Sequence, residues 1–267
     1  MAMNVFIFGL AAIVGYLTVA VKTSEIARLA STKAPRTGTA VLAFMAVTAH
    51  ALALYPMVVT ASGINLGIFS AASLVAWLIA TFVILATLRA PVASLNLVIL
   101  PFTAAIVAVS LLFTDQRVLQ HLPAGLALHI GLSLIAYSLF AIAALQAIYL
   151  SFAARRIKSH APVLRFLPPL ATMEQLMFQL TGIAFALLSL GLIVGVPYIQ
   201  DVRAQHLGHK IVFSALAWLM FAVLIIGRYR WHWRGRRAVK FLIAGFVMLA
   251  LGFFGSKFVL ELVLHRA

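Results

Sequence analysis

The sequence predicts an all-α polytopic membrane protein, a single bundle of about eight transmembrane helices with both termini outside. Three observations predict it. First, 64% of the 267 residues are apolar and 9% are charged, with a mean hydropathy of +1.12. Soluble domains carry about 25% charged residues, so the solvent for this much apolar surface is lipid. Second, the apolar residues form eight continuous stretches, each close to the ~20 residues that a helix needs to cross a bilayer. Third, the basic residues crowd at alternate ends of those stretches. This composition excludes water-soluble enzymes, disordered chains and fibrous proteins. Continuous runs, rather than alternating ten-residue segments, exclude a membrane β-barrel.

The expected spans are 3–21, 39–60, 67–88, 92–113, 127–152, 176–199, 211–227 and 241–260. The first has no basic residue before its apolar run, and its first positive charge, Lys22, follows it. That order is the reverse of a secretory signal, so the segment reads as a span. Pro56 lies near the end of the second span and Pro101 inside the fourth. Proline is tolerated in membrane helices and bends them. Gly195 and Pro197 end the sixth. No repeat of fixed period and no soluble domain is visible, so residues 1–267 read as one membrane domain.

Loop charge sets the orientation. Fifteen Lys and Arg fall on one side, in 22–36, at Arg89, in 155–165 and in 228–240. The other side has five: Arg117, Arg203, Lys210, Lys257 and Arg266. The richer side faces the cytoplasm. The net charge of +15 is thus a topology signal, and nucleic acid is not an expected partner.

The chain has no cysteine, which removes disulfides, zinc–thiolate sites, iron–sulfur clusters and thiol catalysis. The five acids, Glu25, Asp115, Glu174, Asp201 and Glu261, lie in loops or at helix ends. There is no Gly-rich phosphate loop, no carboxylate pair and no other catalytic constellation. Chemistry, if any, belongs to a cofactor.

Ionisable groups inside a bilayer are costly and mark function by default. His50 lies in Phe44–Leu52 with no charge near it in sequence. It is about ten residues, roughly 15 Å, from the outer end of its helix. It reads as a haem or metal ligand, a proton-relay group, or a neutral imidazole bonded to a neighbouring helix. His129 opens the fifth span at the outer face, and Ser133 and Tyr137 share its helix face at i+4 and i+8. Interfacial anchoring is the alternative reading for that face. His209 precedes the seventh span and matches His129 in depth better than His50 does. His121 and His206 also lie in outer loops. They, with His160, His232 and His265, read as solvated. Trp77 and Trp218 read as packing residues. Trp231 and Trp233 flank His232 in a basic run that reads as an interfacial belt, with anionic lipid or haem propionates as the functional alternative.

Leu128-His129 through Tyr137, Phe140 and Tyr149 resembles the LHxxxxxxxYxxF pattern of the cytochrome c assembly family, the CcsA-like polytopic proteins. Leu167–Glu174, Met177-Phe178 and Thr181-Gly182 resemble that family's loop into its next helix. Lys210–Trp218, Trp233–Ala238 (WRGRRA) and Gly245–Lys257 resemble later segments. His50 resembles a second-helix histidine of the HemX/YpjD-type branch. The loop from Gln200 to Lys210 is short and contains no Trp, so the chain lacks the family's WWD segment, and no second outer histidine stands near Gly255-Ser256. The resemblance implies haem handling in cytochrome c biogenesis. A b-type, non-covalent haem would be held or transported across a bacterial inner (cytoplasmic) membrane. Its cofactor-binding residues would be His129, His50, Tyr137 and His209, with no metal beyond haem iron. The implied partners are the lipid bilayer, haem and other cytochrome c maturation or membrane proteins. The alternative is a haem-free membrane scaffold or regulatory partner of another membrane protein.

Overall fold

A computed structural model describes residues 2–29, 36–88, 93–113, 117–120, 122–159, 169–198 and 208–259. The helices are α1 (Ala2–Leu29), α2 (Arg36–Val58), α3 (Ile68–Thr87), α4 (Ala93–Leu112), α5 (Ala124–Lys158), α6 (Leu170–Gly195), α7 (Gly208–Trp231) and α8 (Gly235–Ala250). Among the described residues, eight helices are long and apolar enough to cross a bilayer. The chain is an all-α multi-pass membrane protein, as its sequence predicts. In every span fewer than half of the residues are buried. Apolar side chains therefore cover the outside as well as the core, as a lipid solvent requires.

Most helices outrun the expected spans, because a helix ends where its backbone is interrupted and not where apolar residues stop. α5 begins after Pro123 and continues for 35 residues through Arg155, Arg156 and Lys158. These cations sit at its carbonyl end, where the helix dipole favours them. α6 likewise begins after Pro169, and a 3-10 turn over Val196–Tyr198, containing Pro197, extends it. α8 starts at Gly235, ahead of its apolar run, and changes to π-helical turns at Leu251–Gly255. α2 instead stops before its expected end, because Val59 leaves the helix to pair as a strand.

The chain divides into two compact units. The first contains α1–α4. α1 packs on α2 and α4, and α3 packs on α2 and α4. Gly15 sits so close to α2 that a Cβ there would come within 2.7 Å of Ala46 Cβ. A small antiparallel sheet, β1 (Val59–Thr60), β2 (Gly63–Asn65) and β3 (Val118–Leu119), joins the ends of α2, α3 and α4. Val59 pairs with Ile64, and Ile64 with Leu119. Gly63 has φ +143, and a Cβ would overlap the Leu119 carbonyl, so only glycine fits. Asn65 staples this cap. Its Nδ2 donates to the Met57 carbonyl (3.3 Å) and to Ser70 Oγ (3.2 Å), and its Oδ1 accepts from the amides of Gly67 (3.1 Å) and Arg117 (2.9 Å).

The second unit contains α5–α8. α5 packs on α6 and α8, and α7 packs on α6 and α8. Phe140 of α5 and Phe221 of α7 stack with centroids 3.7 Å apart, and both are fully buried. Met173, Met177, Thr181, Ala184 and Leu188 form the buried stripe of α6, at the i, i+4 spacing that places side chains on one helix face.

Candidate functional site

Each unit carries a histidine centre among its described residues. In the first, His50 is buried, and both ring nitrogens are bonded. Tyr16 Oη lies 3.1 Å from Nδ1, and Ser73 Oγ lies 3.0 Å from Nε2. Ser110 Oγ is 3.4 Å from Ser73 Oγ and donates to the Val107 carbonyl at 2.9 Å. One assignment satisfies the whole chain. Tyr16 donates to Nδ1, Nε2–H donates to Ser73, and the Ser110 hydroxyl is shared between Ser73 Oγ and the Val107 carbonyl. A neutral imidazole has one donor and one acceptor nitrogen, which this assignment uses fully.

Each of the four helices of this unit contributes one member: Tyr16 from α1, His50 from α2, Ser73 from α3 and Ser110 from α4. The close α1–α2 approach at Gly15 and Ala46 is adjacent to Tyr16 and is what brings its phenol to the imidazole. Tyr16, His50, Ser73 and Ser110 are each 2% exposed or less. Their distances from the helix ends nearest the sheet decrease in order from His50 through Ser73 to Ser110. At 1.5 Å per residue, these are roughly 12, 8 and 3 Å. The chain thus climbs from the middle of the span toward the sheet-capped end. Sequence reasoning isolated His50 but missed Tyr16, Ser73 and Ser110. Tyr16 carried the same signal, a polar group inside an apolar stretch. The serines carried none, since a serine can bond the carbonyl of its own helix, as Ser138 does with Leu134.

In the second unit, His129 is half-buried near the start of α5. Its Nδ1 donates to the Gly191 carbonyl of α6 at 2.6 Å. That bond selects the tautomer and leaves the Nε2 lone pair without a hydrogen bond among the described residues. A histidine ready to ligate a metal has this arrangement, with one N–H held by a carbonyl and the other nitrogen free. Gly195 lies beside the ring, where a Cβ would come within 2.5 Å of Nδ1. The glycines at 191 and 195 therefore let α6 approach the imidazole. Ser133, one turn along α5, faces Gly191.

Tyr137 lies two turns deeper on α5. Its ring meets Phe246, Phe253 and Phe254 at centroid distances of 5.5, 6.1 and 5.4 Å. Phe253 and Phe254 belong to the π-helical segment of α8, and such segments frequently mark functional sites. His209 is exposed at the second residue of α7. The structure therefore places His129, Tyr137 and His209 in one unit and His50 in the other. Trp77 and Trp218 pack within their units, with their indoles donating to the Val47 carbonyl at 3.1 Å and to Ser189 Oγ at 2.9 Å. His121, His160, His206 and His265, the acids Asp115, Asp201 and Glu261, and 200–207 of the Trp-free loop lie outside the described residues.

At the opposite end of the second unit, Glu174 holds the α7–α8 turn. Its carboxylate accepts from Arg234 Nε at 2.9 Å, pairs with Arg234 Nη2 at 2.8 Å, and accepts the Gly235 amide at 3.1 Å. The hydrogen bond that Arg234 donates to Glu174, and then the carboxylate's charge, hold the Arg234 guanidinium pKa above its ordinary value. His232 (φ 51) and Gly235 (φ 55) make the reversal. Sequence reading placed Glu174 in a loop or at a helix end and gave it no partner. Its partner is 60 residues away.

The chain is 34% identical over 229 residues to inner membrane protein YpjD of Escherichia coli strain K12, covering 83% of this chain and 86% of that protein. An uncharacterised 28.8 kDa protein of Azospirillum brasilense is 31% identical over 141 residues, covering 51% of this chain and 52% of its own length. Cytochrome c biogenesis protein CcsA of Gloeobacter violaceus is 26% identical over 92 residues, covering 34% of this chain and 27% of that protein. No solved structure matches the chain. The model of the cytochrome C assembly protein family matches residues 39–264. That match takes in α2 through α8 and both polar centres apart from Tyr16. With 34% identity to YpjD across most of both chains, it shows that this multi-pass membrane protein belongs to the cytochrome c assembly protein family.

Proposed function

We propose that this protein binds haem in its second unit and acts in cytochrome c biogenesis, holding haem or passing it across a bacterial inner membrane. One observation carries the reading: the Gly191 carbonyl holds His129 Nδ1–H at 2.6 Å, so that Nε2 is the nitrogen presented for ligation. Family membership and the process named for the CcsA relatives support it, and the name of YpjD supports the inner membrane. A b-type haem, bound without a covalent link, would be held by His129, and its iron would supply the Lewis-acid and redox chemistry of the site.

The chain's own residues divide the work. His129 offers the ligand. The Gly191 carbonyl fixes its tautomer and Gly195 leaves space beside the ring. Tyr137 and its three phenylalanines supply an aromatic wall suited to a flat apolar ring. His209, exposed in the same unit, offers a second imidazole. His50 is a mid-membrane polar relay and not a ligand, because Tyr16 and Ser73 already occupy both its nitrogens. The basic side of the bundle faces the cytoplasm, and the His129 end faces outward.

The test is the absorption spectrum of protein purified in mild detergent from haem-replete cells, oxidised and then dithionite-reduced. The expected result is a near-stoichiometric Soret band that shifts on reduction and falls in His129→Ala. An unchanged spectrum in that variant removes His129 from the site. A colourless protein that takes up no added haemin overturns the reading. It would favour the second one, a haem-free scaffold or regulatory partner, which the Trp-free loop 200–210 supports.

A further inference from the structure

The α7–α8 turn lies between two spans, so it sits at a membrane–water interface. It is more ordered than a charge-based topology signal needs. Such a signal depends only on the number of cations near a span. Here the backbone reverses through two left-handed residues, and the Trp233 amide donates to the Gly227 carbonyl at 3.0 Å. The Trp233 ring covers Gly227, where a Cβ would lie 2.5 Å from it. Trp233 also packs on Trp231 (6.0 Å) and Phe241 (5.0 Å).

Charge is distributed with equal care. Glu174 is the one carboxylate among the described residues of this unit, and Arg234 and the Gly235 amide engage it. Arg228 lies over Phe178 at 4.4 Å and Arg237 over Trp233 at 5.2 Å. Arg228 also donates from Nη1 to the Trp233 carbonyl at 3.4 Å, whereas the Arg237 guanidinium, stacked on its ring, keeps edge N–H groups available for an oxyanion. Arg230, Arg236 and Lys240 are exposed and have no acidic partner among the described residues. Tyr229 and Trp231 are 81% and 61% exposed, as rings are when they sit at the level of lipid headgroups.

We propose that this turn is a binding site for the phosphate of an anionic phospholipid. Arg230, Arg236, Arg237 and Lys240 would supply the cations, Tyr229 and Trp231 the flank in the headgroup layer, and the Glu174–Arg234 pair the brace. The proposal is independent of the haem reading and concerns the opposite end of the unit. Interfacial rings at a turn between two spans favour a lipid over a soluble anion.

The experiment uses the full chain in detergent doped with phosphatidylglycerol or phosphatidylcholine, with retained lipid counted by native mass spectrometry. The wild-type protein retains phosphatidylglycerol over phosphatidylcholine. The triple variant Arg230→Gln, Arg236→Gln, Lys240→Gln loses at least about tenfold of that retention, since each interfacial cation contributes about fivefold. The control Lys22→Gln, Arg155→Gln, Lys158→Gln removes equal charge from other loops expected to face the cytoplasm and changes retention less than about twofold. Glu174→Gln removes a negative charge yet weakens retention, because the brace is lost. Equal losses in the two triple variants, or tighter binding in a folded Glu174→Gln, would mean diffuse charge attraction and overturn the proposal. Displacement of the lipid by millimolar inorganic phosphate would also overturn it.

Discussion

Gly195 lies against the His129 ring so closely that a β-carbon there would come within 2.5 Å of Nδ1. The carbonyl that orients that imidazole, Gly191, lies one turn away on the same helix. Two glycines of α6 thus determine where an α5 histidine points. Gly195→Ala is expected to push the imidazole off its carbonyl and lower thermal stability by about 1–3 kcal/mol, the usual cost of overpacking. The haem band is expected to fall with it. Gly182 of the same helix has open space where a β-carbon would stand, with nothing within 4 Å, and Gly182→Ala should instead stabilise by about 0.5–1 kcal/mol. Thermal melts of the two variants in one detergent, with their spectra, check both. Equal behaviour of the two would show that Gly195 does not position His129.

The Tyr16–His50–Ser73 chain predicts non-additivity. Tyr16→Phe removes one hydrogen bond and leaves an unsatisfied nitrogen, a cost of about 1–3 kcal/mol. His50→Leu strands the tyrosine and serine hydroxyls at a similar or greater cost. The double variant should be less destabilised than the sum by at least about 1 kcal/mol, because the second substitution no longer strands a partner. A strictly additive thermal-stability cycle would mean that the two side chains do not interact.

Asn65 joins strands and helix ends that lie far apart in sequence, including the Arg117 amide 52 residues away. Asn65→Ala is expected to cost on the order of 3 kcal/mol, since it leaves several buried backbone groups without partners. Asn65→Asp keeps the two acceptor contacts and loses both donor contacts, so its cost should be intermediate. Limited proteolysis between α2 and α3 should rise in the same order. Equal sensitivity in all three proteins would exclude the staple.

Topology is tested by reporter fusions. An alkaline phosphatase joined after Gln120 or after Ala267 should be active, and one joined after Ser159 inactive. A green fluorescent reporter should give the reverse pattern. Fluorescence from the fusion after Ala267 would refute the arrangement with both termini outside.

Helix number and approximate position were legible because a bilayer imposes a length and a polarity on any spanning segment, and both can be counted along the chain. Helix ends were not, because they depend on backbone events such as Pro123, Pro169 and the pairing of Val59. His50 and His129 stood out because an imidazole in an apolar stretch is rare. Their partners did not. Ser73, Ser110 and the Gly191 carbonyl are ordinary groups whose roles arise from what faces them.

The sequence by itself determined the solvent, the number of spans, the expected orientation and the family, since all of these follow from local composition and from residues matched in order. Only the tertiary structure decided that the helices gather as four and four, and that His50 uses both nitrogens internally while His129 keeps one without a partner among the described residues. It alone paired Glu174 with Arg234. The physical reason is the same throughout. A hydrogen bond depends on distances of about 3 Å between groups that the chain separates by tens of residues, and no linear pattern encodes which of two similar histidines will find both of its partners.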